Sequence, residues 1–290
     1  MYLDTLRRNI PWQVRLVAKI ALSRLPVPFS FWRRLFLFRH GSMHSGAYAF
    51  NVFERHLKSF MISEGLTGKT LLELGPGDSI ASGLLASIFG AEKTILVDAG
   101  DYAIRDIHPY RVMLAGWQRQ GMDTEKLQRC TSFDQLCCES RTTYFTGGLV
   151  SLSSLKNSSV DIQFSNSVLQ HIPLSQFGVT LRELRRTLRT GGFASHEVDL
   201  RDHLGGGLNN LRFSDRIWES AFFSESGFYT NRVRYSEMLK VFESAGFKVE
   251  VTKKWHWPVL PIARKQLNRR FRSLTDEDLM ISVFDVTLRV

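Results

Sequence analysis

The chain holds 290 residues, 43% of them hydrophobic and 23% charged, with a formal net charge of +10. That is enough apolar material to bury an enzyme-sized core without disulfides, and Cys130, Cys137 and Cys138 match neither a zinc spacing nor a disulfide framework, so no metal is expected and a reducing cytoplasm is the simplest compartment. Arg15, Lys19, Arg24, Arg33 and Arg34 interrupt the candidate apolar runs, which argues against a spanning helix, and the first residues lack the uninterrupted apolar stretch of a signal peptide.

Residues 1–44 read as a basic amphipathic helical arm. Arg7, Arg8, Arg15, Lys19, Arg24, Arg33, Arg34 and Arg39 stand there against one acid, Asp4. Val14, Val17, Ala18, Ala21 and Leu25 share one helical face with Arg15 and Lys19 off it, and Phe29, Phe31, Trp32, Leu35, Phe36 and Phe38 follow a Pro-x-Pro break. Two placements are open for residues 1–40. One is an interfacial helix on an anionic membrane, which would put the protein peripherally on an inner membrane face; the other is an arm packed on the protein's own surface.

The rest of the chain, 45–290, reads as one domain without repeats. Thr70–Leu74 forms a short apolar strand, and Gly75-Pro76-Gly77 then forces a tight turn where backbone can approach a ligand. Asp78 and Ser79 supply N-cap chemistry for a helix carrying Ile80, Leu84, Leu85 and Ile88. A second strand near 94–98 ends in Asp98, which lies 21 residues past Gly77, about the spacing at which such folds place a ribose-binding carboxylate. A dinucleotide fingerprint would want a third glycine where Ile80 stands, so the turn suits a phosphate-free nucleoside better than a pyrophosphate.

Further strands are expected near 142–146, 160–165 and 193–200, a helix at 235–245, and closing strands near 247–252 and 280–289. Strands alternate with helices, as a doubly wound sheet requires, and such a sheet places its ligands beyond the carboxyl ends of the strands. The irregular piece 201–233, inserted after the fifth strand, is placed to cap a substrate. A second basic cluster, Arg264, Lys265, Arg269, Arg270 and Arg272, either joins the basic arm or is a solvated helix face.

Glu73-Leu74-Gly75-Pro76-Gly77, Asp98, Asp161–Ile172 (DIQFSNSVLQHI) and Leu181–Phe193 (LRELRRTLRTGGF) stand in the order in which class I S-adenosylmethionine-dependent methyltransferases carry their motifs. The chain resembles that family over roughly residues 45–290. The resemblance implies a Rossmann-like, mostly parallel α/β sheet of seven strands, and S-adenosyl-L-methionine as cofactor. It also implies that Glu73, Gly75 and Gly77 hold the methionine end, Asp98 the ribose, and that Ser165 and Asn166 line the cofactor. Many relatives carry an acid after strand three, near the adenine, where this chain reads Phe145-Thr146-Gly147-Gly148-Leu149.

A hydroxyl acceptor needs a base. Asp199, Asp202 and His203 cluster past strand five, where an imidazole oriented by a carboxylate would suit deprotonation, and His171 is the competing candidate after strand four. Asp202, Asn210, Arg212, Asn231 and Arg232 offer amide, carboxylate and guanidinium groups to a hydroxylated or anionic acceptor. The region His196–Leu239 resembles methyltransferases of surface-polysaccharide and glycan pathways, so a sugar or glycan precursor is the expected acceptor. Two rivals remain open. A nucleic-acid methyltransferase is disfavoured by Ser165-Asn166-Ser167-Val168, which is not a Pro-Pro-Tyr-type motif. A non-catalytic cofactor-binding protein at a membrane is the other. Oligomeric state is left open.

Overall fold

The computed structural model describes residues 11–24, 42–63 and 65–290. The aromatic run Phe29–Phe38 and Leu25 lie outside the described residues. Helices α1 (Trp12–Ser23) and α2 (Gly46–Ser63) precede β1 (Thr70–Leu74), and the pattern continues through α3 (Ala81–Ile88), β2 (Lys93–Val97), α4 (Ile107–Gln118), α5 (Phe133–Glu139), β3 (Thr142–Phe145), α6 (Gly148–Ser153), β4 (Val160–Asn166), α7 (Leu174–Thr187), β5 (Leu188–Asp199), α8 (Tyr235–Ser244), β6 (Lys248–His256) and β7 (Ile281–Arg289). The strands form one sheet in the order β3-β2-β1-β4-β5-β7-β6. β1 to β5 run parallel, and β7 is antiparallel to both of its neighbours. No helix among the described residues is long and apolar enough to cross a membrane.

Strand periodicity sorts the core into two layers. On β1, Leu71 faces the layer built with Ala49, Val52, Phe53 and Leu57 of α2 and with Leu84, Met113 and Trp117. Leu72 and Leu74 face the layer of Leu152, Phe177, Leu181, Leu184, Met238 and Phe242. The buried α2 residues Ala49, Val52, Phe53, His56 and Leu57 follow the i, i+3, i+4, i+7, i+8 stripe of a helix with one face in the core.

β5 starts earlier than the sequence indicates. Leu188 already pairs with Val160, and the Gly191-Gly192 pair sits at the register shift before Phe193 joins Ile162, so it is a bulge within the strand and not the turn before it. Asp78 does not cap α3, whose N-cap is Ile80 with no side-chain cap bond. Ser79 Oγ accepts from Ala81 N at 3.1 Å, while Asp78 accepts from His44 N at 3.1 Å.

The cap 201–233 does not stand alone. Residues between β6 and β7 pack with it, Ile262, Leu267 and Phe271 meeting Leu208 and Leu211. Three arginines of the second basic cluster are engaged in this packing. Arg264 donates to Arg272 O and Leu274 O and pairs with Asp276, Arg270 bonds Asp215 and Glu237, and Arg272 donates to Leu267 O.

α1 packs on the cap through a face the sequence reading did not select. Trp12, Leu16 and Ile20, at i, i+4 and i+8, meet the aromatic cluster of Trp218, Phe223, Phe228 and Tyr229. Arg212 lies 5.0 Å over the Trp12 ring, and Arg24 donates to Phe222 O at 2.8 Å. Val14, Val17, Ala18 and Ala21 point outward instead, because an aromatic surface offers the larger apolar area to bury. Leu16→Asp is therefore expected to undock α1 and raise amide exchange across Trp12–Ser23, whereas Val17→Asp leaves exchange unchanged; hydrogen exchange with mass spectrometry reads both.

Candidate active site

The site begins where β1 ends. Gly75 and Gly77 take φ of 71° and 70°, conformations that cost an L side chain strain. A Cβ on Gly75 would meet Val168 Cγ2 at 2.4 Å, so the turn closes directly on the loop after β4. Gly77 N donates to Asp98 Oδ2 at 3.0 Å and Ala99 N to Oδ1 at 2.7 Å, which fixes the Asp98 carboxylate at the end of β2 beside the turn. Burial lifts Asp98 to about 6 despite these two donors. Burial lifts Glu73 further, to about 8, and its Oε2 is buried without a hydrogen-bond partner. The loop after β3 serves the same corner, Gly148 N donating to Asp98 O at 2.7 Å.

Helix α2 encloses this corner, a contribution the sequence reading missed. His44, just before it, holds Asp78 with Nδ1 2.5 Å from Oδ2. Arg55 pairs with Glu197 and donates to Asn166 Oδ1 at 3.3 Å. His56 Nδ1 lies 2.8 Å from Ser195 Oγ, and burial lowers this histidine to about 4. The available signal was a polar His56 at a core position of an otherwise apolar helical stripe. Asn166 is thus engaged by α2. Ser165 is fully buried, with Oγ 2.7 Å from His196 Nδ1, and forms a rung between β4 and β5 rather than a surface lining a cofactor.

Past β5 the side chains arrange differently from the expected dyad. Asp199 does not hold His203: its carboxylate is clasped by Arg201, Nε to Oδ1 at 2.9 Å and Nη2 to Oδ2 at 2.7 Å. His203 instead meets His171, Nε2 to Nε2 at 3.2 Å, the rings stacked with centroids 4.9 Å apart. His171 Nδ1 lies 2.9 Å from Tyr229 O, and a carbonyl can only accept, so the proton of His171 is assigned to Nδ1. Its Nε2 then accepts, His203 Nε2–H donates to it, and the lone pair of His203 falls on Nδ1. Surrounding protein lowers His171 and takes His203 to about 3, where His171, Lys19 and Arg201 add to the effect and Asp199 opposes it. Both rings are neutral at physiological pH while keeping an exposed edge.

The expected substrate-binding residues are mostly internal braces. Asp202 accepts from Leu204 N at 2.8 Å, Gly206 N at 3.2 Å and Asn209 N. Asn210 Nδ2 donates to Thr230 Oγ1, and Asn231 Nδ2 to Leu169 O and Ile172 O. Arg232 donates to Phe213 O and pairs with Asp215 and Glu219. Arg212 bonds Asn209 and Gln266. Asn210, Asn231 and Arg232 are corrected on this ground, since each is buried and bonds within the fold, with Asn210 Oδ1 and Arg232 Nε the atoms left without a hydrogen-bond partner. Arg15, Asp199, Arg201, Asp202, His203, Gly205 and Gly206 line a recess of about 300 Å³ beside the histidine pair.

No protein-family model matches the chain, and no curated protein matches it either. Among solved structures it is similar to the YcgJ protein of Bacillus subtilis (15% identity, TM-score 0.45, covering 80% of this chain and 97% of that one). It is also similar to an S-adenosylmethionine-dependent methyltransferase of Mesorhizobium loti (14%, 0.42, 78% and 92%). A third is phosphoethanolamine N-methyltransferase 2 of Haemonchus contortus in complex with S-adenosyl-L-methionine (16%, 0.48, 82% and 52%).

The close approach at Gly75 gives a test. Gly75→Ala is expected to destabilise the protein by about 1–3 kcal/mol through strain and the Val168 clash, and Val168→Ala in the same chain should recover part of the loss; urea denaturation of the four proteins of the cycle measures it. With strand order β3-β2-β1-β4-β5-β7-β6, an antiparallel β7, a glycine turn after β1 and an acid closing β2, the chain has the fold of the class I S-adenosylmethionine-dependent methyltransferases.

Proposed function

We propose that the protein is an S-adenosyl-L-methionine-dependent methyltransferase that methylates a hydroxyl of a sugar or glycan precursor. The observation that carries the cofactor is the buried Glu73 Oε2 without a partner, next to a glycine turn and an anchored Asp98. A cationic ammonium satisfies the first, ribose hydroxyls suit the second, and the side-chain-free turn leaves backbone open to a nucleoside. When bound, the cofactor supplies an electrophilic sulfonium methyl.

The chain's own residues then do the following. Glu73, Gly75, Gly77 and Asp98 orient the nucleoside and methionine ends. His203 Nδ1 receives the acceptor's hydroxyl proton as the oxygen–methyl bond forms, and His171 holds the imidazole through Nε2. A lowered histidine stays unprotonated beside a sulfonium cation, which keeps the lone pair available. Hydroxyl methylation is favoured over a purely binding role because the tautomer chain from Tyr229 O through His171 leaves His203 with a defined lone pair beside an open recess.

Two outcomes test this reading. Asp98 is raised from 3.8 to about 6, so its charged form is lost as pH falls through that value. The carboxylate of Glu73 is likewise lost as pH falls through about 8, so affinity for S-adenosyl-L-methionine should weaken by about tenfold per pH unit between those two values and more steeply below the lower one, and Asp98→Asn should bind weakly and keep only the upper phase; calorimetry between pH 5 and about 9 follows both.

For the chemistry, labelled methyl transfer to a panel of glycans and lipid-linked sugars identifies the acceptor. On it, His203→Ala should lower kcat by about 10²–10⁴-fold with cofactor affinity intact. His171→Ala should lower kcat less and alter the pH profile, with His171→Gln restoring part because its amide oxygen also accepts from His203 Nε2. Cofactor binding with no transfer to any acceptor would leave the non-catalytic reading standing.

A further inference from the structure

Helix α1 is apolar on two faces, and the fold uses one of them. Trp12, Leu16 and Ile20 seat it on the aromatic cluster of the cap. Val14, Val17, Ala18 and Ala21, at i, i+3, i+4 and i+7, form a second stripe that stays exposed, Val17 by 67%. A surface helix ordinarily turns polar residues to water on the side away from its own protein. The exposure continues past both ends of α1. At its C-terminal end the Arg24 guanidinium lies 4.6 Å over the ring of Phe222, itself exposed. At its N-terminal end Arg212 stands over Trp12 and donates to Gln266 Oε1 at 3.2 Å, which joins α1 to the segment between β6 and β7. That segment carries Val259, 71% exposed, with Pro258 and Pro261 exposed beside it. A Cβ on Gly207 would meet Pro261 at 3.6 Å, and one on Gly205 would meet Arg15 Nη1 at 3.6 Å, so apolar side chains reach solvent from elements on both sides of the glycine run beside the recess.

The charges of this end fit an anionic partner. Asp215, Glu219, Glu237 and Asp276 are paired with arginines, and Glu277 with Lys254. Arg216, Lys265 and Arg269 are exposed and make no ion pair, against Glu225 as the unpaired acid. α1 contains no acid, and residues 25–41, which continue from Arg24 and lie outside the described residues, hold Arg33, Arg34 and Arg39 and no acid either. Apolar side chains on a helix and a loop tip, with single cations among them, suit insertion among lipid headgroups, where the apolar groups meet acyl carbon and the cations meet phosphate.

We propose that the outer stripe of α1, Phe222 and the Val259 loop form a docking surface for an anionic lipid bilayer. Docked in this way, the protein holds the recess beside His203 at the membrane, within reach of a sugar carried on a lipid. That acceptor rests on the methyltransferase reading, whereas the docking surface rests on its own residues.

Co-sedimentation of the full chain with vesicles of phosphatidylcholine alone, and with vesicles containing about a third phosphatidylglycerol, tests it. The mixed vesicles should bind about tenfold or more tighter, and raising salt should remove most of that difference. The Val17→Asp/Val259→Asp protein should bind the mixed vesicles about tenfold or more weakly than the unaltered chain, and Lys265→Gln/Arg269→Gln should narrow the difference between the two vesicles. Equal binding of both vesicles by the unaltered chain, which needs no variant to fold, overturns the proposal. A well-folded Val17→Asp/Val259→Asp protein that binds as before also overturns it, assigning the binding to residues 1–10 and 25–41 alone. So does a dimer in analytical ultracentrifugation that the same variant abolishes, which would assign the surface to a second copy of the chain. S-adenosyl-L-methionine titrated into the same protein by calorimetry separates the two ideas. Cofactor binding without preference for the anionic vesicles removes only the docking surface, and vesicle preference without cofactor binding removes only the methyltransferase reading.

Discussion

The part of the molecule beyond β5 depends on one buried polar segment, Tyr229–Arg234. It is neither helix nor strand, so its backbone and side-chain groups must find partners outside a ladder, and they do so on several sides. Arg234 is the anchor. The residue is 2% exposed, and its guanidinium donates to Leu200 O, Asp278 O, Leu279 O and Ile281 O, tying the end of β5 to the start of β7. Burial lowers it only to about 10, so it stays charged, and carbonyl oxygens rather than a carboxylate solvate it. Asn231 reaches the loop after β4 through Leu169 O and Ile172 O, and Trp218 Nε1 donates to Thr230 O. With Tyr229 O on His171, one strip of backbone sets the spacing between the loops that carry His171 and His203.

The two ends of the site are built by opposite electrostatic means. At β1 and β2, acids are drawn into a dry corner and their proton affinity rises. At β5, bases are drawn into a corner crowded with cations and their proton affinity falls. Each end departs from the ordinary protonation of its residue type, and such departures cluster where proteins do chemistry.

Much of the sheet was legible because parallel strands buried on both faces read as short apolar runs, and the glycine turn with Asp98 is a local pattern with a local cause. The cap was not. Asn210, Asn231 and Arg232 look like solvent-facing recognition groups in sequence, and only the tertiary fold shows that all three are buried and bonded to their own chain. α1 misled for a related reason: Val14, Val17, Ala18 and Ala21 make a regular stripe, yet Trp12, Leu16 and Ile20 offer more surface to an aromatic cluster assembled from residues some 200 positions away. The Asp199–His203 dyad failed because Arg201, two residues on, competes for the carboxylate with a bidentate geometry that an imidazole cannot match.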